Sequence, residues 1–281
     1  MRLGGKGLST KVLLDLFDAT FKELSQTKTK EEILQLGLNS YDMRRYLDEL
    51  RNRKDLPLGE LAQREYLALP ILGPLDARGL TIHKFMADDP DFFVDILCDI
   101  FLPANRDKSK DIAPTEEEQA RASSGYTLLR NMDLIPGLSE DKGIDEEALL
   151  QWIDTVRKKA AERDRATMAD IKIGEILAHA PPDPEDRGWP HKTIRSVIEI
   201  LAGDDIDNGL MTERFNMRGV VTKSPYEGGI QERALSDQYR GWADLSRAKW
   251  PRMARVLESI AKSYERDAKR EDARAEQHKI E

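Results

Sequence analysis

The sequence predicts an all-α fold of roughly a dozen short helices. Apolar residues recur at helical spacing along most of the chain, and clusters of Gly, Pro and polar residues separate these stretches. Strict alternation of apolar and polar residues is almost absent, and only residues 219–222 suit an isolated extended piece. No repeat of fixed period is present. These features favour an irregular multi-helix bundle or a solenoid-like array of helical hairpins.

In the first part of the chain, helices are predicted where a capping residue precedes an apolar face. Ser9 is placed to cap the first helix and Ser40 the third. Pro90 follows two aspartates that can cap a helix, and its ring suits a first helical turn. The predicted helices are 9–26, 29–37, one from Ser40 to Leu50, 58–69, 80–87, and one from Pro90 to Ile100.

The polar stretch 103–114 is predicted to be an exposed connector. It divides the chain into an N-terminal helical lobe, 1–105, and a C-terminal helical lobe, 115–281, with one continuous domain as the alternative. Thr115 and Glu118 form a capping-box pattern where the second lobe begins.

Helices in the second lobe are predicted on the same grounds. The apolar face of the last helix ends at Tyr264, so the remainder is expected to be solvated. The predicted elements are 115–132, three helices opened by Asp145, Thr167 and Trp189-Pro190, and then 204–217, 231–248 and 251–277.

Composition limits the classes of function. The net charge of −8 disfavours nucleic-acid binding over the whole surface. No stretch approaches the roughly 20 apolar residues of a membrane span, and no signal-peptide core follows Met1. Cys98 is the only cysteine, which excludes an intrachain disulfide and suits a cytoplasmic location. Its apolar helical surroundings predict a buried thiol.

Motifs for catalysis or cofactor binding are missing from the sequence. The histidines do not share metal-ligand spacing with one another or with Cys98. Neither a phosphate-binding glycine loop nor a nucleophile elbow occurs. Clustered aspartates lie near predicted helix starts, where capping explains them. We therefore expect no metal and no cofactor; enzymatic activity stays open, but nothing in the sequence favours it.

The stretch 214–233 departs from the helical pattern and is the main candidate site. It holds three glycines, a proline, four basic side chains and two aromatic rings. Basic groups bind phosphate or carboxylate, free N–H groups after Gly228 and Gly229 attract anions, and nearby rings offer stacking surfaces. The candidate binding residues are Arg214, Arg218, Lys223, Tyr226, Glu227, Arg233, Tyr239 and Trp242.

A purely structural role is the alternative for this stretch. Gly228 and Gly229 then form only a turn, and the arginines pair with Glu227, Glu232 and Asp237.

Three segments resemble parts of the helical C-terminal region of large multidomain bacterial proteins, some of them from defence systems. The segments are LTIHKFMADDPDFFV at 80–94, HAPPDP at 179–184, and RGV and EGGIQER within 218–233. The resemblance covers most of the chain and carries no catalytic residue. It implies a fragment or standalone form of a sensor or interaction region, with any enzymatic domain elsewhere.

Three functions are carried forward as hypotheses. The leading one is a non-enzymatic protein-interaction or sensor module, part of or derived from a larger bacterial system. The first alternative is a nucleic-acid-binding helical domain that uses the basic loop, with Tyr226 and Trp242 stacking on bases. The second is an enzyme acting on an anionic small molecule, for which Glu227 and Glu232 are the nearby acid–base candidates.

Overall fold

The computed structural model describes residues 8–24, 39–73, 76–106, 113–139 and 143–280. Over these residues the chain forms twelve α-helices and no strand, which confirms the predicted all-α fold. The segment 219–222, the one extended candidate, carries no strand. Each helix of this described part is too short or too polar to span a bilayer.

Every helix predicted within the described residues is present, with small shifts at the ends. The predicted helix 29–37 lies outside the described residues, as do positions 107–112 of the predicted connector. The bounds are α1 Thr10–Leu24, α2 Ser40–Arg51, α3 Leu58–Ala68, α4 Ile82–Asp88, α5 Pro90–Ile100, α6 Glu116–Arg130, α7 Glu146–Glu162, α8 Ala166–Leu177, α9 Lys192–Leu201, α10 Asp204–Asn216, α11 Ile230–Ser246 and α12 Pro251–Ile280.

The described chain separates into two compact units. The first runs to Leu134 and includes Arg163–Arg165, and the second comprises Ile135–Glu162 and the residues from Ala166 onward. Helix α6 packs on α5 within the first unit. The division into lobes 1–105 and 115–281 stays a prediction, because compactness does not test whether either part folds alone.

Helix caps in the first unit follow from local sequence. The Asp89 carboxylate accepts the backbone N–H of Asp91 at 2.9 Å, where α5 begins. Thr115 and Glu118 form the predicted capping box at the start of α6. The Glu118 N–H donates to the Thr115 hydroxyl at 3.2 Å, and the Thr115 N–H donates to the Glu118 carboxylate at 2.8 Å. Such reciprocal bonds satisfy N–H groups that a helix leaves free at its start.

The predicted capping role of Ser40 is wrong. Asn39 is the N-cap of α2, and its side-chain oxygen accepts the backbone N–H of Asp42 at 2.9 Å. The Ser40 hydroxyl instead donates to Asp76 and accepts the N–H of Gly73. The Ser40 side chain therefore bonds to residues more than 30 positions away along the chain, and the local sequence pattern does not reveal such contacts.

Cys98 is only partly buried, in contrast to the core position predicted for it. The buried face of α5 is formed by residues such as Phe93 and Leu97. Cys98 lies at the edge of that face, and Nη1 of Arg163 lies 3.9 Å from its Sγ.

In the second unit, α8 and α10 cross with their backbones in contact. A Cβ at Gly174 would lie 2.1 Å from the carbonyl oxygen of Ile206, and one at Gly209 would lie 2.0 Å from that of Ile171. Real Cβ atoms do not approach oxygen so closely, so both positions require glycine at this crossing.

Helices α11 and α12 form a hairpin that supplies much of the second core. Buried side chains of α12 include Leu257, Ile260 and Tyr264. The prediction that the buried face ends at Tyr264 is wrong, since Ala268 and Ala275 are 1% and 5% exposed. Both alanines stand among charged residues, so the sequence pattern does not reveal this buried face.

The start of α9 lies beyond the predicted Trp189-Pro190 step. His191 is the N-cap, and its Nδ1 accepts the N–H of Thr193 at 3.2 Å. Trp189 is buried, and its indole N–H donates to the carbonyl oxygen of Ala180 at 2.8 Å. The indole thus anchors the connecting segment before the helix begins.

Candidate functional site

Residues 217–229 form the irregular loop between α10 and α11, within the second unit. Near its two ends, Gly219 and Gly228 have φ angles of 67° and 64°. Side chains with a Cβ rarely adopt these angles, so the two glycines permit the chain to leave α10 and turn into α11.

Two predicted cations share one buried carboxylate at the base of this loop. Arg218 Nη2 and Lys223 Nζ lie 2.5 Å and 2.6 Å from Oε1 of Glu232, whose side chain is 2% exposed. Burial alone would raise the pKa of Glu232, but hydrogen bonds from Lys223 and Arg218 outweigh it and hold that pKa below its usual range. The carboxylate is therefore kept charged by the loop's own cations.

A second ion pair ties the start of α11 to α12. Arg233 Nη1 lies 2.6 Å from Oδ2 of Asp272, and the backbone N–H of Gly229 donates to Oδ1 of Asp272 at 2.9 Å. The hydrogen bond from Arg233 lowers the pKa of Asp272. These two sets, Arg218–Lys223–Glu232 and Arg233–Asp272, are termed the clasp.

The paired glycines let the backbone of α12 touch the loop. A Cβ at Gly229 would lie 2.3 Å from the carbonyl oxygen of Ala268, and one at Gly228 would lie 2.7 Å from Oδ1 of Asp272. Gly228 and Gly229 therefore do more than form a turn, because their lack of side chains brings the clasp residues within reach of α12.

Arg214 is held by an aromatic cluster. Its Cζ lies 4.1 Å from the ring centroid of Trp189, and its Nε donates to the hydroxyl of Tyr239 at 3.0 Å. The Trp242 and Tyr239 rings are 5.1 Å apart between centroids, in an edge-on arrangement. A guanidinium over an indole is an attractive cation–π contact. Arg214 thus contacts Trp189 and Tyr239, and both of these rings contact Trp242.

Tyr226 and Glu227 occupy the outer part of the loop. Glu227 Oε1 accepts the side-chain N–H of Gln231 at 2.8 Å, and its Oε2 accepts the N–H of Ser224 at 3.4 Å. Tyr226 is 62% exposed. Glu227 thus stabilises the loop through hydrogen bonds to nearby residues, while the Tyr226 ring is largely exposed to solvent.

Exposed apolar side chains are concentrated on this loop and on the first residue of α11. Among the described residues, fifteen large hydrophobic side chains are exposed, and five of them lie between positions 217 and 230. Val220 is fully exposed. The loop therefore directs its charges to its own helices and its apolar groups to solvent. The five are Met217, Val220, Val221, Tyr226 and Ile230.

The eight candidate residues fall into three sets: the clasp, the aromatic cluster and the outer loop. The structural alternative predicted that the arginines pair with Glu227, Glu232 and Asp237. Arg218 does pair with Glu232. The partner of Arg233 is instead Asp272. The part these residues play in binding stays a prediction.

Sequence reasoning missed Asp272 and Trp189 as partners of the candidate arginines. Asp272 lies one helical turn after Ala268 on an otherwise charged stretch of α12. The small residue Ala268 within this charged stretch is the sequence signal that could have indicated a contact here, because a small side chain permits close backbone contact.

Comparison with known proteins finds no match to this chain among protein-family models, curated proteins or solved structures.

Proposed function

We propose that this chain is a non-enzymatic protein-interaction module and that its contact surface is the 217–229 loop together with Ile230, the first residue of α11. The observation that carries the proposal is the concentration of exposed apolar side chains on a loop whose charges are bound internally. Exposed apolar groups gathered in one place are typical of surfaces that a partner covers.

The construction of the loop suits recognition. Its base is fixed by the clasp and by the close approach of Gly229 to Ala268. A loop that is already ordered loses less conformational entropy on binding. Tyr226 supplies an exposed aromatic ring, a residue type enriched among the side chains that dominate binding energy at interfaces.

Nucleic-acid binding gains no such support from the geometry. Arg218, Lys223 and Arg233 each pair with a carboxylate of the same unit. Nucleic-acid phosphates would have to compete with these carboxylates for the same side chains. Electrostatic binding to nucleic acid relies on Lys and Arg side chains that are available to neutralise phosphates.

The resemblance to helical regions of multidomain bacterial proteins supplies a context for the proposal. An interaction or sensor region in such a system recognises a second protein and leaves chemistry to another domain. We place the present module in that role.

Site-specific photo-crosslinking tests the proposal. A photoreactive residue is placed at Val220 or Tyr226, and the matched control carries it at Leu245, which is also exposed but lies on α11. In cells that naturally express the chain, we expect positions 220 and 226 to give the same discrete adduct and position 245 to give none. Mass spectrometry identifies the partner.

Two results would contradict the proposal. One is the absence of a discrete adduct at both loop positions. The other is an identical set of adducts at all three positions, which would indicate random collisions.

A further inference from the structure

An open pocket of about 490 Å³ lies between the end of α10 and the middle of α12. It belongs to the second unit and is distinct from the clasp. Its lining residues are Phe215, Ser263, Arg266, Asp267 and Arg270. The volume falls within the range of small-molecule sites, roughly 300–1,000 Å³.

The aromatic wall of this pocket is supported from behind. The Phe215 ring lies 5.0 Å from the ring of buried Tyr264, measured between centroids. Tyr264 in turn stacks on Tyr239 at 5.7 Å with an angle of 23° between the rings. Phe215 itself is partly exposed. Phe215 therefore contacts a buried ring and is still accessible, and an accessible aromatic ring offers a stacking surface.

The rim of the pocket carries an excess of positive charge. Arg270 is bound by Asp267, its neighbour on α12. Arg266 donates to the Ser263 hydroxyl at 2.8 Å, and no described carboxylate lies within 4.0 Å of its guanidinium. This contrasts with Arg218 and Arg233, which are both paired with acids.

We propose that this pocket binds a small anion that carries a planar ring, with the ring on Phe215 and the anionic group on Arg266. The guanidinium offers a planar fork of donors that matches carboxylate or phosphate. Ser263 accepts a hydrogen bond from that guanidinium, and both residues line the same pocket as Phe215. No clasp residue lines this pocket, so the proposal does not rest on the clasp or on the interaction module.

Calorimetric titration of the full chain tests the proposal with four probes. Adenosine 5′-monophosphate and benzoate each combine a ring with an anionic group. Adenosine lacks the anionic group, and inorganic phosphate lacks the ring. We expect at least one of the two ring anions to bind at least about tenfold more tightly than adenosine and inorganic phosphate.

Variants locate the binding. Arg266→Gln removes the free charge, and Phe215→Leu removes the ring while it keeps an apolar side chain. Each is expected to weaken binding of the ring anion about tenfold or more. Arg274→Gln is the control, because Arg274 lies on the same helix outside the pocket and pairs with Glu271.

The proposal is overturned if neither ring anion binds, or if Arg266→Gln binds as tightly as the parent. Equal weakening by Arg274→Gln would also overturn it, since binding would then reflect only the general charge of α12. Circular dichroism of each variant confirms that the fold is retained; should Phe215→Leu unfold the chain, Arg266→Gln decides the outcome.

Discussion

Two irregular segments of the second unit, 178–191 and 217–229, both combine glycine and proline with charged residues but are built in opposite ways. The first buries its indole ring and one of its three acids: Trp189 and Asp183 are each 2% exposed. The second leaves Val220 and Tyr226 in solvent. The first packs into the core of its unit, whereas the second is attached to its unit by the ion pairs of Arg218 and Lys223 and by the contact of Gly229 with α12.

The contrast shows how a segment that shapes the core can be distinguished from a loop that forms an exposed surface when both have similar residue types. The Asp183 carboxylate accepts backbone N–H groups of Glu185 and Lys192, both at 2.9 Å, so its polar groups shape the local chain. In the 217–229 loop, charged side chains anchor the loop and apolar ones face outward. Placement of the apolar side chains, rather than the presence of arginine and glycine, distinguishes the two.

Asp186→Ala is expected to have the largest effect, because it leaves a buried guanidinium without its acid. Arg195 is fully buried, and its Nη1 and Nη2 lie 2.6 Å and 2.9 Å from the Asp186 carboxylate. Breaking a buried pair destabilises by about 3–5 kcal/mol, and the partial exposure of Asp186 reduces our expectation to about 2–4 kcal/mol. Urea unfolding followed by tryptophan fluorescence measures the loss.

Glu185→Ala is the matched control in the same segment. Glu185 pairs with Lys192 at the surface, so we expect a change of no more than about 1 kcal/mol. Equal losses in the two variants would show that the 178–191 segment does not depend on its buried pair.

Substitution of Gly229, the N-cap of α11, and of Gly241 within α11 is expected to give effects of opposite sign. Gly229→Ala places a methyl group 2.3 Å from the Ala268 carbonyl oxygen, at a loss of about 3 kcal/mol, the upper end for overpacking. Gly241 has nothing within 4 Å, so Gly241→Ala is expected to stabilise by up to about 1 kcal/mol through helix propensity. Thermal unfolding of both variants is the measurement. A neutral Gly229→Ala would show that α12 does not touch the loop.

The clasp is expected to weaken in acid. The folded-state pKa of Glu232 is lowered, so its ion pairs contribute fully above the unfolded pKa and are lost as pH falls through the folded pKa. Glu232→Gln should destabilise by about 1–2 kcal/mol near neutral pH, since two cations lose their charged acceptor.

Unfolding free energies of parent and Glu232→Gln, measured between about pH 7 and pH 3, test this expectation. The two curves should converge in acid. A difference that stays constant over the whole series would mean that Glu232 contributes through shape and not through charge.

Val220→Ser is expected to have the smallest effect on stability. The side chain is fully exposed, so the free energy of unfolding should change by less than about 0.5 kcal/mol. Partner capture should nevertheless fall, which separates recognition from folding. A stability loss above about 1 kcal/mol would place Val220 in the core and erase the contrast between the two segments.

Local features were predictable because their causes lie within a few residues. The Thr115–Glu118 capping box and the Asp89 cap follow from side chains that bond the next turn of the chain. The all-α fold was predictable for the same reason, since apolar spacing is a local property.

The site was harder to predict because its partners are remote along the chain. Arg233 pairs with Asp272, and Arg214 stacks on Trp189, neither of which a local pattern connects to the loop. Basic residues in a glycine-rich stretch therefore looked like free cations. Only the folded chain shows that carboxylates and rings of the same unit already bind them.

The crossing of α8 and α10 also indicates which residues a distant relative with this fold must keep. Gly174 and Gly209 face carbonyl oxygens of the opposite helix at distances that exclude a methyl group. Surrounding side chains can drift together over evolution, but a change at either glycine would push the two helices apart. The two positions are therefore expected to vary as a linked pair, retained together or lost together. Such a pair offers a filter for recognising ancestry after the rest of the sequence has diverged.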